Sequence, residues 1–342
     1  MRFLLLIIVV CTVSACSNES KPDLSNIKID ASIQRFDKDF FSIDTTQMNQ
    51  SIDGLYKKYP AFLPAYFEFF SPVNFIIATQ GRSLPQALRE YYNNIKPLYD
   101  SVQKKYSSVS DIESGLRTNL AYVKYYYPSF KTPVILTSVE SLNPTNKDEI
   151  YGALYFRDTL VISLQMFLGK DFSAYDPSQY FDYIRRRFEP GYIVPNAIRS
   201  ISAAVYPDSS QDAPLIEQFI EKGKQWYQLS KFMPGTHDSL ITLFTNRQLG
   251  WCKENEGQIW ASVLSATPDL YTVDAERLQN YIGEAPFTQN METTNSSPGN
   301  IGQWVGWQIV KAYASKNPSF TLQQLLATPA RKIFQEAKYK PK

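Results

Sequence analysis

The chain has 342 residues, of which 44% are hydrophobic and 20% are charged, and its formal net charge is +2. This composition is typical of a globular protein and excludes a disordered chain. The small net charge, without a long run of Lys or Arg, excludes the basic surface of a nucleic-acid-binding protein. Because His237 is the single histidine, the two-histidine H-E-x-x-H motif of zinc proteases is excluded as well.

The N-terminus has the pattern of a bacterial lipoprotein signal. A positive residue, an apolar run and a set of small residues precede Cys16. In such signals the cysteine thiol is acylated and the segment before it is removed. We therefore predict a signal peptide at 1–15, lipidation at Cys16, with palmitate among the acyl chains, and a polar tether at 16–26. The alternatives are an ordinary signal peptide cut after Ala15 and a buried N-terminal helix.

Hydrophobic periodicity predicts the remaining elements in chain order. The first are a short strand within 27–36 and helices at 44–59, 61–70, 84–106 and 111–127. β-rich segments follow at 133–139, 151–156 and 160–164, with a hairpin loop at 157–159 between the last two. Helices are then predicted at 179–188, 193–205, 213–230, 246–265, 274–282, 298–316 and 329–337.

Helices on both sides of a small antiparallel sheet indicate an α+β fold that is mostly helical. We expect a single domain over 27–342, with a mobile internal loop at 290–297.

The predicted helix at 298–316 combines a broad apolar face, which includes Trp304, with a stripe of Gly299, Gly302 and Gly306. Each interior glycine costs about 1 kcal/mol relative to alanine in a helix. The stripe therefore indicates a close approach that a Cβ would obstruct. Packing against another element is the favoured interpretation, and admission of an extended peptide or ligand is the alternative.

Other chemistry-bearing residues have ordinary structural interpretations. Glu254 and Glu256 are two residues apart and point to different helix faces, so they form no acid–base pair unaided. Cys252 is the cysteine left after signal removal and lipidation, which excludes an internal disulfide, and we expect it to be a small buried residue. The run Arg185-Arg186-Arg187 favours an exposed charged helix face over a lipid-binding patch. His237 is predicted to lie in a turn before a helix capped by Asp238.

Several motifs occur in the same order as in a known family. Besides the lipobox at Cys16, they are Ile33-Gln34-Arg35-Phe36-Asp37, the segment 161–171, Tyr192-Ile193-Val194-Pro195, the segment 251–256 with Ile259-Trp260, Gly283-Glu284-Ala285-Pro286-Phe287-Thr288, and the helix at 298–313. Together they resemble the gliding-motility lipoproteins of the GldB family of Bacteroidetes over nearly the whole mature chain.

That family is similar in turn to predicted zinc proteases, and the resemblance implies a zincin-like fold. In those proteins an H-E-x-x-H helix follows the sheet and a Glu-Gly pair on the next helix supplies a metal ligand. Here the segment 193–205 holds neither His nor Glu, and Lys222-Gly223 stands at the expected Glu-Gly position. A cation at that position repels Zn²⁺, so we expect no metal, no cofactor and no catalytic residue.

The resemblance therefore implies a non-enzymatic component of the gliding machinery, anchored by lipid to a membrane, the outer rather than the inner. We expect it to bind another cell-envelope protein through the cleft between the sheet and the helix at 193–205. The candidate cleft or interaction residues are Glu254, Glu256, Trp260, Gly302, Trp304 and Gly306.

The alternative function is a periplasmic hydrolase, or a peptide- or glycan-binding protein, with Glu254 or Glu256 as a catalyst. Two carboxylates that converge in one cleft would favour the enzyme, and an apolar or cationic cleft would disfavour it.

Overall fold

The computed structural model describes residues 22–142, 149–267, 269–289, 291 and 297–341. The predicted signal peptide, the lipidation site Cys16 and the first part of the tether lie outside the described residues. Most of the loop predicted at 290–297 also lies outside them.

The described chain is mostly helical and contains one small sheet, so the predicted α+β class is confirmed. The strands β1 to β4 are Ile33–Gln34, Val134–Ser138, Ala153–Phe156 and Thr159–Ser163. The helices α1 to α16 are Phe36–Phe41, Met48–Lys58, Phe62–Ala65, Val73–Gln80, Leu84–Lys105, Ser110–Tyr126, Asp182–Arg185, Ile193–Val205, Leu215–Phe232, Asp238–Thr242, Asn246–Glu254, Glu256–Ala266, Ala275–Ile282, Ile301–Lys316, Leu322–Ala327 and Ala330–Ala337.

The sheet is mixed rather than antiparallel, in the order β1-β2-β4-β3. β2 pairs in parallel with both β1 and β4, and only β3 and β4 are antiparallel. The expectation of an antiparallel sheet was therefore wrong for two of the three pairs. The chain between β1 and β2 passes through α1 to α6, and such a crossover lets the second strand run in the same direction as the first. The predicted hairpin does join β3 to β4, through Arg157 and Asp158 at φ 48° and 56°, as a two-residue turn requires.

A buried carboxylate explains why the first strand is so short. Asp37 accepts two hydrogen bonds from Arg35, at 2.8 and 2.7 Å, one from Thr137 at 2.6 Å and one from Gln103 at 2.8 Å. These contacts fix α1 against β2 and α5, so the chain leaves the sheet after Gln34. The strand predicted within 27–36 is therefore confined to two residues.

Most predicted helices are present, with shifted ends. The predicted helices at 84–106, 111–127 and 193–205 correspond to α5, α6 and α8. The helix predicted at 246–265 is divided at Asn255, whose backbone leaves the helical region at φ −116° and ψ 23°. The pattern missed α1, α4 and α15, which are short or uniformly apolar and so carry little periodic signal.

Within the described part of the chain, no individual helix has the length and apolar character needed to cross a membrane. Phe62–Phe70 and Val73–Gln80 meet that requirement only as a pair, and they are bent by 63° relative to each other.

Helices α9 and α14 pack backbone against backbone. A Cβ placed on Gly306 would lie 1.7 Å from the carbonyl oxygen of Phe219, and a Cβ on Gly302 would lie 2.3 Å from the ring of the same residue. On the other helix, a Cβ on Gly223 would lie 2.3 Å from the carbonyl carbon of Gly306. Real side chains do not tolerate such distances, so these glycines let the two helices approach as closely as they do.

We predict that Gly306→Ala lowers the free energy of unfolding by about 1–3 kcal/mol, because its methyl group overpacks the contact with α9. The matched control is Gly250→Ala in α11, where an added Cβ meets no atom within 4 Å. That variant should gain up to about 1 kcal/mol from helix propensity. Urea unfolding of both variants measures the difference, and equal effects would show that the glycine contact is not tight.

Candidate functional site

A cavity of about 530 Å³ lies between β3 and α8. Residues of α9, the segment 242–244, Glu284 and Ala285, and the residues that lead into α14 complete its lining. The lining combines buried apolar side chains with amides and three arginines, a mixture typical of ligand sites.

One arginine of the cavity has a carboxylate partner. Arg187 Nη1 donates to Glu284 Oε1 at 2.8 Å, and the Tyr151 hydroxyl donates to the same oxygen at 2.8 Å. Burial raises the pKa of Glu284, but Arg187, Tyr151 and Arg199 together outweigh burial and hold that pKa below its ordinary value. Glu284 is therefore a carboxylate at neutral pH, and its charge compensates Arg187.

The other two arginines bind carbonyl oxygens at the end of α10. Arg199 Nη2 donates to Leu240 at 3.1 Å and to Ile241 at 2.7 Å, and Arg186 Nη2 donates to Leu243 at 2.9 Å. Burial lowers the pKa of Arg199 to about 10 and also lowers that of Arg186. Both guanidinium groups remain charged at neutral pH. Because carbonyl oxygens satisfy donors without neutralising charge, the cavity wall keeps an excess of positive charge.

Further polar atoms of the wall are unsatisfied. The Nε atoms of Arg186, Arg187 and Arg199 have no hydrogen-bond partner among the described residues, and neither do the Oδ1 atoms of Asn196 and Asn300. Buried donors and acceptors are nearly always paired in folded proteins. These five atoms belong to residues that line one cavity, but each is inaccessible to water and therefore lies within the wall rather than at the cavity surface.

Side chains of α8 bind the backbone of β3 and of Tyr151, two residues before the strand. Asn196 Nδ2 donates to the carbonyl oxygen of Tyr151 at 2.7 Å, and the backbone N–H of Tyr155 donates to Ser200 Oγ at 2.7 Å. These bonds use backbone groups that an added strand would need. The cavity therefore suits the end or a single side chain of a ligand better than a strand laid along β3.

The structure places Glu254, Glu256 and Trp260 away from this cavity. Glu254 is exposed at the end of α11. Glu256 accepts a hydrogen bond from the Tyr339 hydroxyl at 2.6 Å. The Trp260 ring packs on Tyr339 and Phe334, with centroid distances of 5.5 and 6.3 Å. Glu256 and Trp260 therefore lie beside the C-terminal segment, and none of the three candidates lines the cavity.

The other three candidates lie in the core. Gly302 and Gly306 contact α9 as described, and Trp304 is 1% exposed. The cavity reaches this region only at residues 298–300 and at Gln303. The six candidate residues therefore do not form one site.

The remaining candidates have structural surroundings. His237 caps α10 and accepts the Ser239 backbone N–H at 3.2 Å through Nδ1, so the cap is His237 rather than the expected Asp238. Cys252 is a buried free thiol whose pKa is raised by burial. Lys222 pairs with Asp208 at 2.8 Å. Across the described ranges, no group of three or more His, Cys, Asp or Glu residues could hold a metal ion.

Sequence reasoning missed the arginines and Glu284. The run Arg185-Arg186-Arg187 was expected on an exposed helix face, and this was wrong for Arg187, which is 7% exposed. The sequence did contain a signal for Glu284, because this residue lies in one of the family motifs. The sequence alone does not show that Arg187 and Glu284, which are 97 positions apart, bind each other.

The fold and the cavity define a mostly helical α+β protein with a cationic cleft. A family model described as gliding motility protein GldB matches residues 17–341, and the chain belongs to that family. No curated protein and no solved structure matches the chain, so the zincin-like fold stays a prediction.

We predict that Glu284→Gln lowers the free energy of unfolding at pH 7 by about 1–3 kcal/mol, because the mostly buried Arg187 loses a charged acceptor. Since the folded-state pKa of Glu284 lies below its ordinary value of 4.5, its contribution is complete above that pH. The contribution is lost as the pH falls through the folded-state pKa. Urea unfolding at pH 7 and at pH 3 measures the change, with the exposed Glu254→Gln as control. A difference from wild type that stays constant with pH would contradict the assignment.

Proposed function

We propose that this member of the gliding motility family is a lipid-anchored, non-catalytic envelope protein that binds another envelope protein through the cavity between β3 and α8. The observation that carries the proposal is the excess positive charge of a cavity whose lining otherwise consists of apolar, hydroxyl and amide side chains. Three arginines and one carboxylate line this cavity, and that carboxylate is already engaged.

The chemistry of the cleft favours binding over hydrolysis. General acid–base catalysis by carboxylates needs a group whose pKa is near the working pH, whereas the pKa of Glu284 is lowered. Glu254 and Glu256, on which the hydrolase alternative depends, do not line the cavity. The cleft is cationic, and a cationic cleft was expected to disfavour the hydrolase alternative.

The anchor rests on the sequence. The apolar run and small residues before Cys16 have the lipoprotein pattern, and the family match begins at the next residue. One acyl chain binds a membrane only marginally, so stable attachment requires the several chains that a lipoprotein carries. We propose the outer membrane as the site of attachment.

The proposal predicts that motility is restored in a deletion strain by the wild-type gene but not by Ala203→Trp. Ala203 is exposed and lines the cavity, so the indole should obstruct the cavity without disturbing the core. The control is Lys57→Trp, at an exposed position on α2. The variant proteins must accumulate to equal levels, which immunoblotting checks. Full motility with Ala203→Trp would contradict the cavity as the binding site.

The lipid anchor is tested separately in the same deletion strain. Cys16→Ser should abolish acylation and release the protein from the membrane fraction, and mass spectrometry of the mature N-terminus reads out the modification directly. An unmodified Cys16 in the wild-type protein would contradict the proposed lipid anchor, and it would not bear on the proposal that the cavity binds a partner.

A further inference from the structure

The charge balance of the cavity specifies the kind of group that it lacks. Glu284 forms a salt bridge with Arg187, whereas Arg186 and Arg199 donate their hydrogen bonds to carbonyl oxygens and interact with Glu284 only electrostatically. A buried cation is stabilised by a hydrogen-bonded anion. The missing component is therefore an anionic group, and a planar carboxylate matches the fork of a guanidinium group.

The rest of the lining specifies what the anion is attached to. Trp226, Leu229 and Phe244 form an apolar part of the wall, and each is buried. Asn196 and Asn300 add amide groups to the lining. An amide side chain pairs with both the N–H and the C=O groups of a peptide backbone. Apolar, amide and cationic groups around one cavity favour a peptide over a free phosphate or a lipid head group.

The geometry of β3 restricts how such a peptide enters. Because Ser200 already binds β3 and Asn196 binds Tyr151 just before it, a peptide that lies along the strand has fewer backbone groups to bind. The cavity volume of about 530 Å³ is in the range of pockets that hold small ligands. A short peptide end, or one acidic side chain with its neighbour, fits this size.

We propose that the cavity binds a carboxylate of the partner protein at Arg186 and Arg199, with an adjacent apolar side chain against Trp226, Leu229 and Phe244. This inference rests on the proposed function and names the ligand class of the same site. The carboxylate comes from the C-terminus of the partner or from an Asp or Glu side chain, and both sources share the chemistry that the cavity recognises.

The test measures, by fluorescence anisotropy, how tightly labelled peptides bind to the mature, detergent-solubilised protein. The first probe is Gly-Ser-Gly-Ala-Leu with a free C-terminal carboxylate. The second is the same peptide with a C-terminal amide, and the third is the amide with Asp in place of Ala. If only the peptide with the free C-terminal carboxylate binds, the cavity recognises a chain terminus. If the amidated Asp peptide binds and the amidated Ala peptide does not, the cavity recognises an acidic side chain. Either result supports the proposal, and equal binding of all three overturns it.

Substitutions of Ala203, at the cavity mouth, test the charge without changing the buried wall. Ala203→Glu should weaken binding of the carboxylate probe at least about fivefold relative to Ala203→Lys, because the two substitutions place opposite charges at one exposed position. Arg186→Met should weaken binding as well, and the Ala203 pair keeps the test decisive if that variant does not fold. Identical affinities for the Ala203 pair overturn the proposal.

Inorganic phosphate serves as the competitor that separates peptide from phosphate chemistry. Displacement of the probe by equimolar phosphate, or absence of binding by every peptide, overturns the carboxylate assignment. If Ala203→Trp still abolishes motility in that case, the proposed function stands and only the ligand class fails. If Ala203→Trp leaves motility intact, the proposed function fails independently of the peptide results.

Discussion

The backbone contact between α9 and α14 is the constraint on which the candidate site depends. Gly223, Gly302 and Gly306 bring the two helices to a distance that no side chain at these positions would allow. The contact fixes α9, which supplies Trp226 and Leu229 to the cavity lining, against α14, which supplies Gln303. The glycine stripe is therefore a packing feature in the structure. Gly302 and Gly306 do not line the cavity, but the helix contact that they permit positions the residues that do.

Electrostatics give the cavity its character. An arginine that pairs with a carboxylate inside a protein is nearly neutral as a unit, and Arg187 with Glu284 is such a unit. Arg186 and Arg199 instead bind the carbonyl oxygens at and after the end of α10, so each supports the local backbone and also contributes positive charge. Helix ends accept such cations readily. A structural role at α10 and a binding role in the cavity are compatible for the same side chain.

The extent to which the sequence predicted the structure follows from the range of the interactions involved. Helices with strong periodicity, such as α5, α6 and α8, were predicted within two residues because their signal is local. The parallel pairing of β2 with β1 depends on a crossover of about a hundred residues and leaves no local signal. The bond from Arg187 to Glu284 is equally long-range. Conversely, Glu254 and Glu256 carry the residue types of a catalytic pair, but neither lines the cleft, and Glu256 instead binds Tyr339.

The central claim, that the cavity between β3 and α8 receives a partner protein, is tested most directly by photo-crosslinking in living cells. A photoreactive side chain at Ala204, which is exposed and lines the cavity, is compared with the same side chain at Lys57 on the exposed face of α2. The account predicts one envelope protein linked from position 204 and absent from position 57, with the crosslinked peptide carrying a carboxylate close to the linkage. The same adducts from both positions, or an adduct only with lipid at position 204, would contradict it.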